Sequence, residues 1–203
     1  MKNMQRIENQ LIAKRNEVTY FVIIPKIFFT MKKTTLFVCA LLYTFNLFSQ
    51  ETSSKIWLLE VNKDVWLPFI ESWATNDAEK YNGLHTKDLI RGGEHDVQDF
   101  QSYTEYNRIN FKRRKAQSLK VTIDFHLLER ANNGEIGSER GIYETTYFNE
   151  EGKVFKNYGK FHVFLRKVDG IWKIAVDYDS DENKTINEDS FKAAFPIDDF
   201  SKF

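Results

Sequence analysis

The chain has 203 residues, 42% of them hydrophobic and 15% aromatic, and its 29 basic residues balance 29 acidic ones. That composition supports a buried core and excludes a disordered chain. The balance is uneven: the first 49 residues hold seven Lys/Arg against two Asp/Glu, leaving 22 basic and 27 acidic residues behind them. An acidic remainder lacks the electrostatic footprint of nucleic acid or of an anionic membrane, so neither is expected as a partner.

The segment from Met31 reads as a beginning. Lys32 and Lys33 precede an apolar run, Leu36 to Phe48, and Ser49 offers a small residue for cleavage. The run is shorter than the ~20 residues of a membrane span, so residues 31–49 read as a secretory signal peptide. The mature protein then begins at Gln50, is periplasmic or secreted, and does not hold to a membrane after cleavage. Residues 1–30 read as an upstream start wrongly included. Cys39, the sole cysteine, lies in the apolar run. The mature chain therefore has no disulfide, thiol nucleophile or thiolate metal site, and Val38 does not suit a lipidated cysteine.

The mature region divides into a domain, 50–181, and a tail, 182–203, expected to pack on the domain or on a partner. Leu58, Val61, Val65, Trp66, Phe69, Ile70 and Trp73 follow helical spacing, with Pro68 kinking or restarting the helix near Trp66. Asp77 caps a short helix through Tyr81, which Gly83 stops. Leu84 to Arg91 reads as loop or short strand, ended by Gly92-Gly93, and Asp96 as the cap of a third helix from Val97 to about Lys115.

After Gln117 the period changes to that of strands. Val121, Ile123, Phe125 and Leu127 alternate with Thr122, Asp124, His126 and Leu128. Residues 131–138 are turn chemistry, 140–148 a second strand, 149–153 a turn, 156–167 a third strand, 168–170 a tight turn and 171–179 a fourth strand. Four strands at hairpin spacing make an antiparallel meander, and helices before strands indicate an α+β domain.

Three helices followed by strands that close on Gly159-Lys160-Phe161, Arg166-Lys167, Asp169-Gly170, Trp172-Lys173-Ile174 and Asp177 resemble the SnoaL-like, nuclear-transport-factor-2-like superfamily. Trp73 and Asp77 at a helix end, then Leu84 and Asp88, fit the same pattern, and the resemblance spans residues 53–180. It implies a cone: a strongly curved antiparallel sheet packed with about three N-terminal helices around a cavity. Members include isomerases, cyclases, dehydratases, hydrolases and non-catalytic binders, and many form homodimers through the outer sheet face. Such a fold leaves function open.

Asp177 and His85 are the candidate catalytic residues. The resemblance carries Asp177 to the cavity, where burial would raise its pKa toward that of a working base. Strict alternation instead sets it opposite Trp172, Ile174 and Val176, at a solvated strand end. His85 and Asp88 share a face only if that segment is helical. Trp73, Tyr81 and Phe100 are candidate pocket walls, and Asp88, His126 and His162 candidate polar contacts. His162 alternates away from the buried face of Phe161, Val163 and Leu165. Arg140 and Tyr143 suit an anionic ligand but project to opposite faces.

Glu94, His95 and Asp96 with His85 lack metal-ligand spacing, so no metal is expected. No phosphate or dinucleotide fingerprint appears, so no cofactor is expected either. The basic run Lys112 to Lys115 reads as complementing a helix C-terminus. Three readings remain open: an exported domain binding a small, partly apolar molecule; a cofactor-free acid–base enzyme of isomerase or dehydratase type; and a dimeric interaction module using the sheet face and the tail, Phe191 to Phe203.

Overall fold

The computed structural model describes residues 56–148 and 154–203. The upstream start, the signal peptide, Cys39 and the 149–153 turn lie outside the described residues.

Helical residues 56–61 pass into a π-helical turn, Asn62–Trp66, and then into α1, Leu67–Thr75. The wide turn answers Pro68, whose ring and missing N–H disturb regular i→i−4 bonding. Leu67 N–H donates to Asn62 O, one residue further back than in an α-helix. Leu58, Val61, Val65, Trp66 and Phe69 are buried along one stripe, as their spacing predicts. Asn76 ends α1 in the left-handed conformation that asparagine tolerates.

Helix α2, Ala78–Asn82, is capped by Asp77, whose carboxylate accepts from Lys80 N–H, and closes at Gly83. Strand β1, His85–Gly92, follows directly. Val97–Asp99 forms β2, antiparallel to β1, so α3, Phe100–Ala116, starts three residues later than expected. Its cap is Asp99 rather than Asp96, accepting from Ser102 N–H at 2.8 Å. Pairing to β1 holds 97–99 extended although these residues suit a first helical turn.

Strands β3 (Lys120–Asn132), β4 (Ile136–Phe148), β5 (Val154–Val168) and β6 (Ile171–Ser180) form the antiparallel meander. Helix α4, Glu188–Ala193, and a two-residue strand β7, Phe195–Pro196, complete the chain. The sheet runs β2-β1-β6-β5-β4-β3-β7. β1 lies parallel to β6, so the sheet is mixed rather than wholly antiparallel. Without β1, the open edge of β6 would leave backbone donors and acceptors unpaired.

The sheet is curved and unclosed, with α1 to α3 on its inner face, which makes an α+β fold of cone type. Two glycines admit the inner aromatic rings: Phe161 lies across Gly141 and Tyr143 across Gly159, where a methyl group would overlap either ring.

An irregularity in β6 decides the site. Phe164 pairs with Val176 and Leu165 with Ile174, leaving Ala175 as an extra residue. Beyond this β-bulge the alternation is reset. Asp177, opposite Val163, and Asp179, opposite Phe161, therefore point inward with Trp172 and Ile174, while Val176 and Tyr178 point outward. Strict alternation predicts the reverse.

A buried ion pair locks the wall beside Trp66. Arg130 Nε donates to Glu139 Oε1 at 2.9 Å, and both side chains are 0% exposed. Trp66 Nε1 donates to the other carboxylate oxygen, and the Arg130 guanidinium also donates to Asn62 Oδ1 and Ile197 O. The tail is thereby fixed to the helices and the sheet. On the outer face Phe191 covers Ile142, whereas Ile90, Phe164 and Tyr178 stay exposed.

Candidate functional site

The inner face of the sheet and the helices enclose a cavity of about 310 Å³, at the lower end of the roughly 300–1,000 Å³ of small-molecule sites. Its apolar wall includes Trp66, Phe69, Trp73, Phe111, Phe125 and Phe161. The rings interlock: Trp66 and Phe125 centroids are 4.7 Å apart, and Phe69 meets Tyr81 edge-on at 4.8 Å. Such packing fixes the wall without filling the space.

One part of the cavity is polar. β6 supplies Asp177 and Asp179, β1 supplies Arg91, β4 supplies Tyr143 and α3 supplies Tyr103. Parallel register sets Arg91 directly beside Asp177. Arg91 Nε lies 3.3 Å from Asp177 Oδ2 as an ion pair, off the line of a hydrogen bond, and a terminal nitrogen donates to Asp179. Tyr143 Oη donates to the second Asp179 oxygen at 3.0 Å. Tyr103 and Tyr81 hydroxyls are bonded to each other at 2.6 Å.

Asp177 is 7% exposed. Burial pushes its carboxyl up to about 6, Arg91 draws it down and Asp179 pushes it further up. Burial also raises the Tyr103 hydroxyl to about 12 and those of Tyr81 and Tyr143 well above the usual phenol range, so all three remain protonated donors near neutrality. Arg91 loses by burial but gains more from Asp177, Tyr103 and Asp179, and stays charged. Asp179 also lines a second, more polar cavity with Glu94, Asp96 and Gln98, which gives the cluster a hydrophilic side.

The structure gathers Asp177, Trp73 and Tyr81 at the cavity wall. His85 sits behind it: its ring packs edge-on against Tyr81 and Tyr103, and Nδ1 lies 3.1 Å from Tyr81 O. Burial lowers its imidazole to about 4, so it is neutral near pH 7. His85 and Asp88 do not share a face, because the segment is a strand and not a helix: His85 is buried and Asp88 exposed. Asp88 is exposed and ion-paired with Arg166 at 2.5 Å.

Phe100 packs at the core edge under Lys87, outside the cavity lining. His126 stacks on Phe191 at 3.8 Å and His162 bonds to Ser138 at 2.8 Å, both on the outer face. Arg140 pairs with Glu129 and is separated from Tyr143 as their spacing predicts.

Sequence reasoning passed over Arg91, Asp179 and Tyr103. A basic residue two positions after buried Leu89, on the same strand face, was the available signal for Arg91. Among the described residues, no group of three or more His, Cys, Asp and Glu side chains is placed to hold a metal ion.

No family model matches the chain, and no curated protein is significantly similar to it. Solved structures are. A protein of unknown function from Mycobacterium tuberculosis is 21% identical over 63% of this chain and 73% of its own, with a TM-score of 0.53. A conserved protein from Planctomyces limnophilus is 14% identical over 60% of this chain and 93% of its own, at 0.52. An NTF2-like protein with a cystatin-like fold from Novosphingobium aromaticivorans is 11% identical over 64% and 86%, at 0.49. The first two are likenesses of fold alone, to a curved, unclosed sheet with helices on its inner face.

Proposed function

We propose that this chain binds a small, partly apolar molecule in the aromatic cavity and orients it by the polar cluster around Asp177. The observation that carries this reading is the union of a fixed aromatic wall with convergent polar groups in one cavity. Titrating the protein with an environment-sensitive aromatic dye, and following Trp66 and Trp73 quenching, tests it. Saturable binding weakened by Phe69→Ala but not by the outer-face variant His162→Ala supports the reading. Equal loss in both variants, or none in either, refutes it.

A second reading, acid–base catalysis of isomerisation or dehydration, is favoured by one feature. Asp177 combines burial, a pKa of about 6 and a place at the cavity wall, the properties of a general base poised near its working pH. In this reading Asp177 takes a proton from the ligand. Arg91 steadies the carboxylate as its charge changes, and the Tyr103 and Tyr143 hydroxyls offer hydrogen bonds to developing negative charge on a ligand oxygen. Incubation of apolar ketones and hydroxy-ketones in heavy water, with deuterium incorporation read by mass spectrometry, tests it. Exchange abolished in Asp177→Asn supports the reading; exchange unchanged in that variant refutes it.

Export through the 31–49 signal peptide is part of the same proposal, and so is self-association through the outer sheet face. The exposed Ile90, Phe164 and Tyr178 support the latter. Sedimentation of the wild type against Phe164→Glu tests it, an unchanged mass being the outcome that sinks it.

A further inference from the structure

Among the described residues three arginines reach the interior, and two of them have carboxylate partners. Arg130 is paired with Glu139, and Arg91 with Asp177 and Asp179. Arg114 differs. It lies in the last turn of α3 and lines the cavity, with its guanidinium 4.3 Å from the Trp73 ring centroid and 5.2 Å from that of Phe111. Among the described residues no carboxylate pairs with it, and its Nη1 is buried with no hydrogen-bond partner.

Aromatic faces attract a guanidinium through their quadrupole, but they accept none of the five N–H bonds that lie in its plane. Stacking therefore fixes the plane and leaves the donor fork open. Tyr147, Tyr81, Tyr106 and Arg113 are the titratable groups that interact with it most, and none of them is a carboxylate. Its neighbours Lys112, Arg113 and Lys115 are exposed, so Arg114 alone of that basic run turns inward.

A guanidinium nitrogen buried without a partner at the aromatic end of the cavity is costly unless a partner arrives. Tyr103, beside the acid cluster, is eleven residues earlier on the same helix, a separation of roughly 16 Å at about 1.5 Å per residue. The cavity thus carries an acid cluster near one end of α3 and an unpaired base near the other.

We infer that Arg114 is the anion-recognition residue of the cavity, and that the ligand is an aromatic or alicyclic carboxylate whose carboxyl group meets the Arg114 fork. The inference rests on the binding reading above and extends it to a chemical class. A monoanion is specified because one guanidinium neutralises one charge; a phosphate dianion would leave a charge uncompensated in an apolar wall.

The test uses two probes of equal size, 2-naphthylacetate and neutral 2-naphthylacetamide. Both are titrated by calorimetry into the wild type, Arg114→Gln, Arg114→Lys and the exposed neighbour Arg113→Gln. The acid is expected to bind the wild type roughly tenfold or more tightly than the amide, the scale of a charge-assisted pair. Arg114→Gln abolishes that preference without weakening the amide, Arg114→Lys keeps part of it, and Arg113→Gln leaves it intact. Equal wild-type affinities for acid and amide, or a preference that survives Arg114→Gln, overturn the inference while leaving the cavity reading standing. Binding of neither probe to any of the four proteins overturns both. Amide affinity serves as the fold control, since a variant that misfolds loses both probes together.

Discussion

Asp177→Asn should stabilise the protein at alkaline pH, although it removes one member of an ion pair. In water an aspartate ionises at about 3.8, but in the folded chain Asp177 does so at about 6, with burial outweighing the pull of Arg91. The folded state binds the proton more tightly, so stability falls as pH rises between those two values and levels off above 6. The gap of roughly two pH units corresponds to about 3 kcal/mol of ionisation cost in the native state at pH 8. Asparagine keeps the shape and the hydrogen-bonding capacity without the charge, so it escapes most of that cost. Thermal unfolding followed by circular dichroism should place Tm of Asp177→Asn roughly 6–12 °C above wild type at pH 8. At pH 4, where Asp177 is mostly protonated, the two curves should nearly coincide. A variant less stable than wild type at pH 8 would refute the reasoning, because Arg91 attraction would then outweigh burial. Stability gained together with lost proton exchange would mark Asp177 as a residue held at the expense of the fold for its chemistry.

Glu139→Leu should be the opposite case, destabilising by roughly 3–5 kcal/mol because Arg130 is left buried without its partner. Chemical denaturation checks this, and the double variant Arg130→Met/Glu139→Leu should recover most of the loss. Gly159→Ala should push the Tyr143 ring off its seat and away from Asp179, costing roughly 1–3 kcal/mol by overpacking; unchanged ligand affinity and stability would contradict that placement. His85 should stay neutral down to about pH 4, as read from its ring proton shifts by NMR. Because its folded pKa lies below the ordinary 6.5, the stability it contributes is complete above pH 6.5 and lost as pH falls through about 4. This opposes Asp177, so Asp177→Asn should unmask a rise in stability between those pH values.

The meander was legible because its strands are rich in alternating, β-branched and aromatic residues and are separated by turn residues at hairpin spacing, and the first two helical segments because their apolar stripe and the Asp77 cap are local signals. β1 was not legible as a sheet member. Its parallel partner is more than eighty residues away, and nothing in residues 84–91 announces that pairing. The site was legible only where a resemblance supplied it. Asp177 could be named, but alternation turned it outward, since Ala175 gives no sign of being a bulge until Phe164 and Leu165 are seen to pair around it. Arg91 and Arg114 were hidden for different reasons. The first depends on the unseen parallel register. The second sits in a basic run whose other members are solvent-facing, and only the packing of Trp73 and Phe111 separates it from them.

The bulge has one more consequence. By hydrophobicity alone β6 prefers the register that turns Val176 and Tyr178 inward and leaves both aspartates in water, and a one-residue slip is all that separates the two states. The native register is therefore a frustrated choice, held by Arg91 on the neighbouring strand. Its reverse side is the exposed strip of Ile90, Phe164 and Tyr178. Recessing the acids and baring the apolar strip are one event, so any partner that covers the strip would also help hold the acids in place.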